Sequence, residues 1–253
     1  MASNGVNSFT TVPKWESNAA YWIQIIRDNR DRYRLELTNG AVLRAIGQCE
    51  GLQVLDAGCG EGYMSRQIAD LGADVTGLDL SVNLIDAARS SLDNAEKSIR
   101  FDVGDVSILP YESSRFDLVL CNHLINDLPE PEGAISEFSR VLRPAGRVVI
   151  LMLHPCFYAR PERNGGTDDS GTIRYFDRRR AEQHFNVDGL ISPATNTVWL
   201  RPLEYHTESL RNAGFVIESL VEPHPTAEQL AKDPWWQKAF TRPLFMLITA
   251  RLA

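Results

Sequence analysis

The stretch that decides the fold is VLDAGCGEGYMSRQIADLG, from Val54 to Gly72. An apolar run ends at Asp56, three glycines (Gly58, Gly60 and Gly62) follow, and apolar residues then recur at helical spacing. One glycine is enough to relieve a tight turn from a strand into a helix. Three of them leave bare backbone that a ligand can approach at the start of the helix. The stretch therefore predicts a strand, a ligand-binding loop and a helix.

The spacing of the glycines and the acid before them favour one kind of ligand. A dinucleotide fingerprint is GxGxxG, whereas here the third glycine comes one residue early and Tyr63 takes the expected place. Asp56 stands two residues before the first glycine, where a carboxylate repels a pyrophosphate and attracts an ammonium group. S-adenosylmethionine carries an amine and a sulfonium cation and has no phosphate. The loop therefore favours S-adenosylmethionine over a dinucleotide.

The rest of the chain alternates between strand and helix patterns. Short runs rich in Val, Ile and Leu predict seven strands, at residues 53–56, 74–79, 100–103, 116–121, 147–153, 215–222 and 244–252. Helical patterns lie between most of them, with Ser81 as an N-cap and Thr226 and Gln229 as a capping box. Such alternation predicts an α/β fold with a doubly wound, mostly parallel seven-stranded sheet.

The organisation we expect is a helical cap over residues 1–50 and a main domain over 51–253. The cap begins with a polar arm and continues as two helices. Residues 157–200, after the fifth strand, lack periodicity and contain RNGGTDDSG, which predicts a loop insertion that covers the substrate.

Composition limits the possible partners and compartments. The 253 residues are 43% hydrophobic and 23% charged, with a net charge of −7, which argues against nucleic acid and anionic membranes as partners. The four cysteines have no CxxC spacing, so neither a structural zinc nor any other metal site is expected. The polar start MASNGVNSFT and the lack of a long apolar run predict a cytoplasmic protein. We expect it to be a monomer or a homodimer.

Several motifs resemble, in order, those of the class I S-adenosylmethionine-dependent methyltransferases, with a Rossmann-like fold. They are DAGCGEG, VTGLDLS, VGDVSILP, FDLVLCNHLIND and EFSRVLRPAGRVVI, and they cover residues 54–153. The resemblance implies that Asp79 binds the ribose diol, that Asp105 receives the adenine amino group and that the final strand is antiparallel. The cofactor-binding residues it implies are Asp56, Gly58, Cys59, Gly60, Gly62, Tyr63, Asp79, Leu80, Asp105, Val106 and Asn122. The turn Pro144-Ala145-Gly146 departs from the adjacent glycines usual in this family.

The segment after the fourth strand bears on the acceptor. Methyltransferases that act on adenine or glutamine often carry (Asp/Asn)-Pro-Pro-(Tyr/Phe) here, whereas this chain has Cys121-Asn122-His123-Leu124. His123 is a candidate general base, or it packs against the cofactor or caps the next helix. His154 ends the fifth strand, where it either faces a substrate or is a hydrogen-bonded residue that fixes the start of the insertion.

Other residues suggest a small-molecule acceptor. Tyr21 and Trp22, with Trp15, are candidates for an aromatic surface near the transferred methyl group, and Arg201 is a candidate substrate ligand. The segments HPCF and RPLEY resemble a group of small-molecule methyltransferases, many from natural-product pathways. The run Arg178–Arg180 lies in a neutral segment and is interpreted as a solvated face.

The sequence therefore predicts an enzyme that transfers a methyl group from S-adenosylmethionine to an O or N atom of a small molecule, leaving S-adenosylhomocysteine. The natural-product resemblance places this reaction in secondary metabolism. Three alternatives stay open: a C-methyltransferase, an NAD-dependent oxidoreductase and a non-catalytic module that binds S-adenosylmethionine.

Overall fold

A computed structural model describes residues 12–92, 99–158 and 175–253. The strands in these ranges are β1 (Gln53–Ala57), β2 (Asp74–Asp79), β3 (Ile99–Val103), β4 (Phe116–Asn122), β5 (Leu142–Leu153), β6 (Arg179–Gln183), β7 (Asn186–Val187), β8 (Leu190–Ile191), β9 (Asn196–Leu200), β10 (Phe215–Val221) and β11 (Phe245–Leu252). The helices are α1 (Val12–Arg27), α2 (Asn39–Ile46), α3 (Tyr63–Asp70), α4 (Val82–Ser90), α5 (Glu132–Val141), α6 (Leu203–Asn212), α7 (Ala227–Lys232) and α8 (Pro234–Ala239). A π-helical segment, Arg34–Thr38, leads directly into α2.

One seven-stranded sheet has the order β3-β2-β1-β4-β5-β11-β10. Strands β1 to β5 are parallel, and β11 runs antiparallel to both β5 and β10. The predicted fold class, the seven strands and the antiparallel last strand are confirmed. Strand order reverses between β1 and β4, and in sheets of this kind ligands bind at the carboxyl ends of the strands beside that reversal.

The sheet core explains why the strands are so apolar. The interior residues of β1, β4 and β5 are buried on both faces of the sheet, and two hydrophobic clusters pack on its opposite sides. Helices α1 and α2 confirm the prediction of two N-terminal helices, with Val42 and Ile46 of α2 fully buried against the sheet. Among the described helices, none is long and apolar enough to cross a membrane.

The predicted helix starts are confirmed at both capping sites. The Ser81 side chain accepts a hydrogen bond from the Leu84 amide at 3.2 Å, and Thr226 and Gln229 cap α7 reciprocally. The helix that begins at this capping box ends at Lys232, so Trp235 and Trp236 belong to a separate helix. Asp233 then caps α8 by accepting the Trp235 amide, and Pro234 occupies its first turn, where a missing N–H costs nothing.

The insertion also differs from its prediction. Residues 159–174, which include RNGGTDDSG, lie outside the described residues, as does the polar arm 1–11. The remainder is not a loop: β6 and β9 pair antiparallel from Arg179 with Leu200 to Gln183 with Asn196, and β7 pairs with β8. Sequence periodicity missed these strands because they are short, and because β6, β7 and β8 are mostly partly exposed whereas β9 is mostly buried, so they share no alternating pattern.

Candidate cofactor and acceptor site

A cavity of about 820 Å³ opens at the carboxyl ends of β1, β2, β3 and β4. Its walls come from the N-terminal helices, the glycine loop, the loops after β2, β3 and β4, the insertion and the segment before β11. Residues far apart in the sequence therefore meet at the edge of the sheet that the strand order identifies.

The glycine loop is fixed by the neighbouring strand. The amides of Gly58 and Cys59 donate to the carbonyl oxygen of Leu78 at 2.7 and 3.1 Å, and Gly58 and Gly60 have φ values of 74° and 56°. A Cβ atom added to Gly60 would meet nothing within 4 Å. Both glycines therefore give the cavity a wall of bare backbone in a conformation that favours glycine.

Asp56 lies under this loop, buried, with one oxygen satisfied and one not. The Ser65 hydroxyl donates to Asp56 Oδ2 at 2.6 Å, whereas Asp56 Oδ1 has no partner among the described residues. Burial raises the pKa of Asp56 to about 6. A buried carboxylate with a free oxygen on a cavity wall is stabilised by a ligand that donates to it or carries positive charge.

Two further acids line the cavity and are held by backbone amides. Asp79 accepts from the Ser81 amide through Oδ1 and from the Gly60 amide through Oδ2, both at 2.9 Å. Asp105 Oδ1 accepts from the amide and the hydroxyl of Ser107 at 2.8 and 2.7 Å. Each carboxylate is therefore oriented before a ligand arrives.

The structure brings most of the expected cofactor-binding residues to this one cavity. They are Asp56, Gly58, Cys59, Gly60, Tyr63, Asp79, Leu80, Asp105, Val106 and Asn122. Gly62 does not belong to the set. A Cβ there would lie 2.5 Å from Phe101 Cζ and 3.1 Å from Ala88 Cβ, so Gly62 allows close helix packing and does not line the cavity.

Asn122, the last residue of β4, and His123, the residue after it, both line the cavity. Asn122 Oδ1 is buried without a partner among the described residues. His123 has φ of 60°, and its ring meets Phe245 edge-on at 5.3 Å between centroids. Burial lowers the pKa of His123, with a smaller opposing effect of Asp31, so the imidazole is neutral near pH 7. A neutral imidazole on a cavity wall is able to accept a proton.

His154 does not reach the cavity, and its expected role is corrected. The ring is buried; Nε2 lies 2.9 Å from Glu222 Oε1, and Nδ1 accepts the Cys156 amide at 3.2 Å. Both ring nitrogens are therefore used within the fold. His154 fixes the chain where it leaves β5, which is the alternative that the sequence left open.

Tyr21 and Arg201 are also turned away from the cavity. The Tyr21 hydroxyl donates to the Leu190 carbonyl oxygen at 3.0 Å. Arg201 is buried, and its guanidinium donates to the carbonyl oxygens of Leu128 and Pro129 at 2.5 and 2.8 Å. Both expectations of substrate contact are corrected: Tyr21 ties α1 to the insertion, and Arg201 fixes the loop after β4.

Trp22 does line the cavity, in an aromatic cluster that we call the aromatic wall: Trp15, Trp22 and Phe185. The Phe185 ring lies 4.8 Å from Trp22 and 5.9 Å from Trp15 between centroids. Trp22 Nε1 is buried without a partner among the described residues. Phe185 comes from the insertion, so its part in this wall was not visible in the sequence.

Sequence reasoning also missed six charged residues on the cavity walls: Asp31, Arg34, Glu61, Asp127, Glu182 and Arg242. Asp127 is buried, accepts from Asn196 Nδ2 at 3.1 Å, and has its pKa raised to about 7 by burial. Arg34 lies over the Tyr63 ring, with its guanidinium carbon 4.1 Å from the centroid. The motif NHLIND contains Asp127, but no local pattern marks the arginines.

Comparison with known proteins agrees with this geometry. Residues 55–150 match a family model described as a methyltransferase domain. An S-adenosylmethionine-dependent methyltransferase from Mesorhizobium loti superimposes with a TM-score of 0.67 and 27% identity, over 85% of this chain and 95% of that one. The chain therefore contains a methyltransferase domain and has the fold of the S-adenosylmethionine-dependent methyltransferases. The family and the fold imply S-adenosylmethionine as the cofactor.

Curated relatives of this chain match over shorter stretches. A ubiquinone biosynthesis O-methyltransferase from Coxiella burnetii is 34% identical over 128 residues, which are 49% of this chain and 55% of the relative. A demethylmenaquinone methyltransferase from Renibacterium salmoninarum is 33% identical over 117 residues, 46% of this chain and 48% of the relative. The chain thus spans about half the length of these relatives.

The atoms that line the cavity, considered apart from these comparisons, also suit this cofactor. The strand ends supply unpaired or oriented acceptor oxygens, from Asp56, Asp79 and Asn122, which match a ligand with an ammonium group and hydroxyl donors. Bare backbone at Gly60 leaves room for close approach. The residues present therefore fit S-adenosylmethionine.

Proposed function

We propose that this chain is an enzyme that transfers a methyl group from S-adenosylmethionine to an O or N atom of a small molecule. The observation that carries the proposal is the unpaired, buried Asp56 oxygen beside the bare glycine loop, in a cavity that also holds a neutral histidine. The first feature suits a cationic cofactor, and the second suits an acceptor that loses a proton.

The binding roles follow from the atoms that lack partners. Asp56 Oδ1 receives the ammonium group of the cofactor, Asp79 receives the ribose hydroxyls and Asp105 the adenine amino group. Arg34 lies over Tyr63, directly after the glycine loop, and its Nε and Nη1 have no partner among the described residues. It is therefore placed to pair with the carboxylate at the same end of the cofactor.

The chemistry required of the chain is positioning and proton removal. S-adenosylmethionine supplies a methyl group on a sulfonium, which is already a good electrophile. His123 accepts the proton that an acceptor hydroxyl or amine loses as its new bond to carbon forms. The aromatic wall excludes water and orients the acceptor in line.

Small molecules are the acceptors we propose, of a quinone-precursor or natural-product kind. The names of the curated relatives place them in quinone biosynthesis, and the cavity is enclosed by residues of the insertion and the N-terminal helices, which leaves little access for a macromolecule. In this proposal residues 1–50 act as a cap and 175–200 as part of a lid over the acceptor.

The test is to incubate the protein with methyl-labelled S-adenosylmethionine and a metabolite extract from its host, and to search by mass spectrometry for label in small molecules. We expect a labelled product that disappears in His123→Asn and persists in His224→Asn, a histidine on an exposed turn that serves as control. The position of the label separates O and N products from C products.

Two results would contradict the proposal. Binding of S-adenosylhomocysteine with no labelled product in any host extract would favour a non-catalytic module. Tight binding of NAD without binding of S-adenosylhomocysteine would favour an oxidoreductase, although the family and its solved relatives argue against that result.

A further inference from the structure

One wall of the cavity carries a positive charge that has no ion-pair partner among the described residues. Arg242 lines the cavity, its Nε is buried without a hydrogen-bond partner, and its guanidinium forms no ion pair with a carboxylate of the described residues. Other arginines of these ranges pair closely: Arg66 with Glu61 at 2.8 Å and Arg140 with Glu137 at 2.7 Å. Because a half-buried cation without a partner is costly, Arg242 is a site prepared for an anion.

The position of Arg242 assigns that anion to the acceptor and not to the cofactor. Arg242 lies in the segment between α8 and β11, three residues before Phe245. The Phe245 ring packs edge-on against His123, the proposed base. Arg34, the other cavity arginine without a carboxylate partner, lies instead over Tyr63 beside the glycine loop. Arg242 therefore lies on the segment that leads to the residue in contact with the proposed base.

The cavity wall also carries polar atoms without partners among the described residues. The free acceptor oxygens belong to Asp56 and Asn122, at the strand ends that hold the cofactor. The free donors include Trp22 Nε1, Arg242 Nε and two nitrogens of Arg34. A ligand between them needs acceptor atoms of its own, and a carboxylate supplies them as a charge-assisted, bidentate partner for arginine.

Acids on the cavity wall do not remove this preference. Asp31 accepts the Arg34 amide at 3.1 Å and also acts on His123, and Glu182 pairs with Lys14 at 3.0 Å. Asp127 is held by Asn196 of the insertion at 3.1 Å. None of these acids forms an ion pair with Arg242. The aromatic wall adds a flat apolar surface, suited to stacking with a ring.

We infer that the acceptor is a planar aromatic molecule that carries a carboxylate, with Arg242 binding the carboxylate and His123 facing the atom to be methylated. This inference rests on the proposed function and names the substrate class of the same site.

The experiment is calorimetry with protein saturated with S-adenosylhomocysteine, titrated with 4-hydroxybenzoate and 4-hydroxycinnamate, each beside its methyl ester. We expect the acids to bind at least about tenfold more tightly than their esters. Arg242→Gln should reduce that ratio to near one, and Arg242→Lys should retain part of it. Arg251→Gln is the matched control, because Arg251 pairs with Glu218 on the surface of β11 and should leave the ratio unchanged.

Several results would overturn the inference. Equal affinity for acids and esters, or no binding of either, contradicts an anionic acceptor while S-adenosylhomocysteine binding still supports the proposed function. If Arg242→Gln weakens S-adenosylhomocysteine as much as Arg34→Gln does, Arg242 belongs to the cofactor end. Failure of the native protein to bind S-adenosylhomocysteine contradicts the proposed function itself.

Discussion

The carboxylate of Asp79 accepts the backbone amide of Gly60 at 2.9 Å, which joins the end of β2 to the glycine loop that follows β1. Its second oxygen accepts the amide of Ser81, the residue that caps α4. One acid thus connects a loop, a strand end and a helix start at the edge of the cavity. The loop and the carboxylate are positioned together, so a ligand that contacts one meets the other already in place.

The glycines of the loop have different tasks, and alanine substitutions should separate them. Gly62→Ala places a Cβ 2.5 Å from Phe101 at φ of 78°. We expect the free energy of unfolding to fall by about 2–5 kcal/mol, from backbone strain together with overpacking. Gly60→Ala meets no atom within 4 Å, so it should lose only about 1–2 kcal/mol while weakening S-adenosylhomocysteine binding. Denaturant unfolding and calorimetry measure the two effects.

The control for these glycines is Gly189→Ala, in the turn between β7 and β8. Gly189 has φ of 80° and nothing within 4 Å of an added Cβ, so only the backbone cost of about 1–2 kcal/mol applies. If Gly62→Ala is no more destabilising than Gly189→Ala, the packing role of Gly62 is wrong.

Asp127 should make the stability of the ligand-free protein depend on pH. Burial raises its pKa to about 7, whereas an aspartate in the unfolded chain titrates near pH 3.9. Between these values the folded state keeps a proton that the unfolded state has lost. The contribution of Asp127 therefore lowers the free energy of unfolding as pH rises from about 4 to about 7, and stays unfavourable above that.

Asp127→Asn removes this contribution. We expect the variant to exceed the native protein in free energy of unfolding by about 2–4 kcal/mol at pH 8 and to match it near pH 4. Denaturant unfolding across this pH range measures the difference. Asp86→Asn, on the exposed face of α4, should show no such trend. A difference that is the same at both pH values would mean that Asp127 is charged throughout.

The two histidines that follow strand ends should behave differently. His123→Asn keeps a residue type that tolerates a positive φ but removes the proton acceptor, so turnover should fall by about 100-fold or more. His154→Asn breaks the contacts with Glu222 and Cys156 and should lower the free energy of unfolding by about 1–3 kcal/mol. Turnover of the folded His154 variant should stay within about threefold of the native value, because this substitution does not remove the proposed general base.

Labelled-product formation and thermal unfolding, measured on the same preparations, test the predictions for the two histidine variants. Loss of turnover in a fully folded His154 variant would return that residue to the site. Full turnover in the His123 variant would remove it from the proposed chemistry.

Much of the cofactor side could be predicted from the sequence because its determinants are local. The strand, the glycine loop and the helix that follow one another from Gln53 to Asp70 are encoded by neighbouring residues. Asp56, Asp79 and Asp105 each lie near the carboxyl end of a strand or just after it. Parallel strands bring their carboxyl ends to one edge of the sheet.

The acceptor side could not be predicted in this way because its contacts are distant in the sequence. His154 is held by Glu222, 68 residues later, and Arg201 by carbonyl groups more than 70 residues earlier. Conversely, Arg242 gains importance because its Nε has no partner among the described residues. Whether a charged side chain is paired depends on the whole packing, which no short motif records.

The central claim is that the cavity binds S-adenosylmethionine through the acids at its strand ends. Its most direct test is calorimetric titration with S-adenosylhomocysteine of the native protein, of Asp79→Ala and of the exposed control Asp86→Ala. We predict one site in the native protein, unchanged affinity in the control and about 10- to 100-fold weaker binding in Asp79→Ala, as expected for the loss of charge-assisted hydrogen bonds. Native affinity in Asp79→Ala, or no binding by the native protein, would contradict the account.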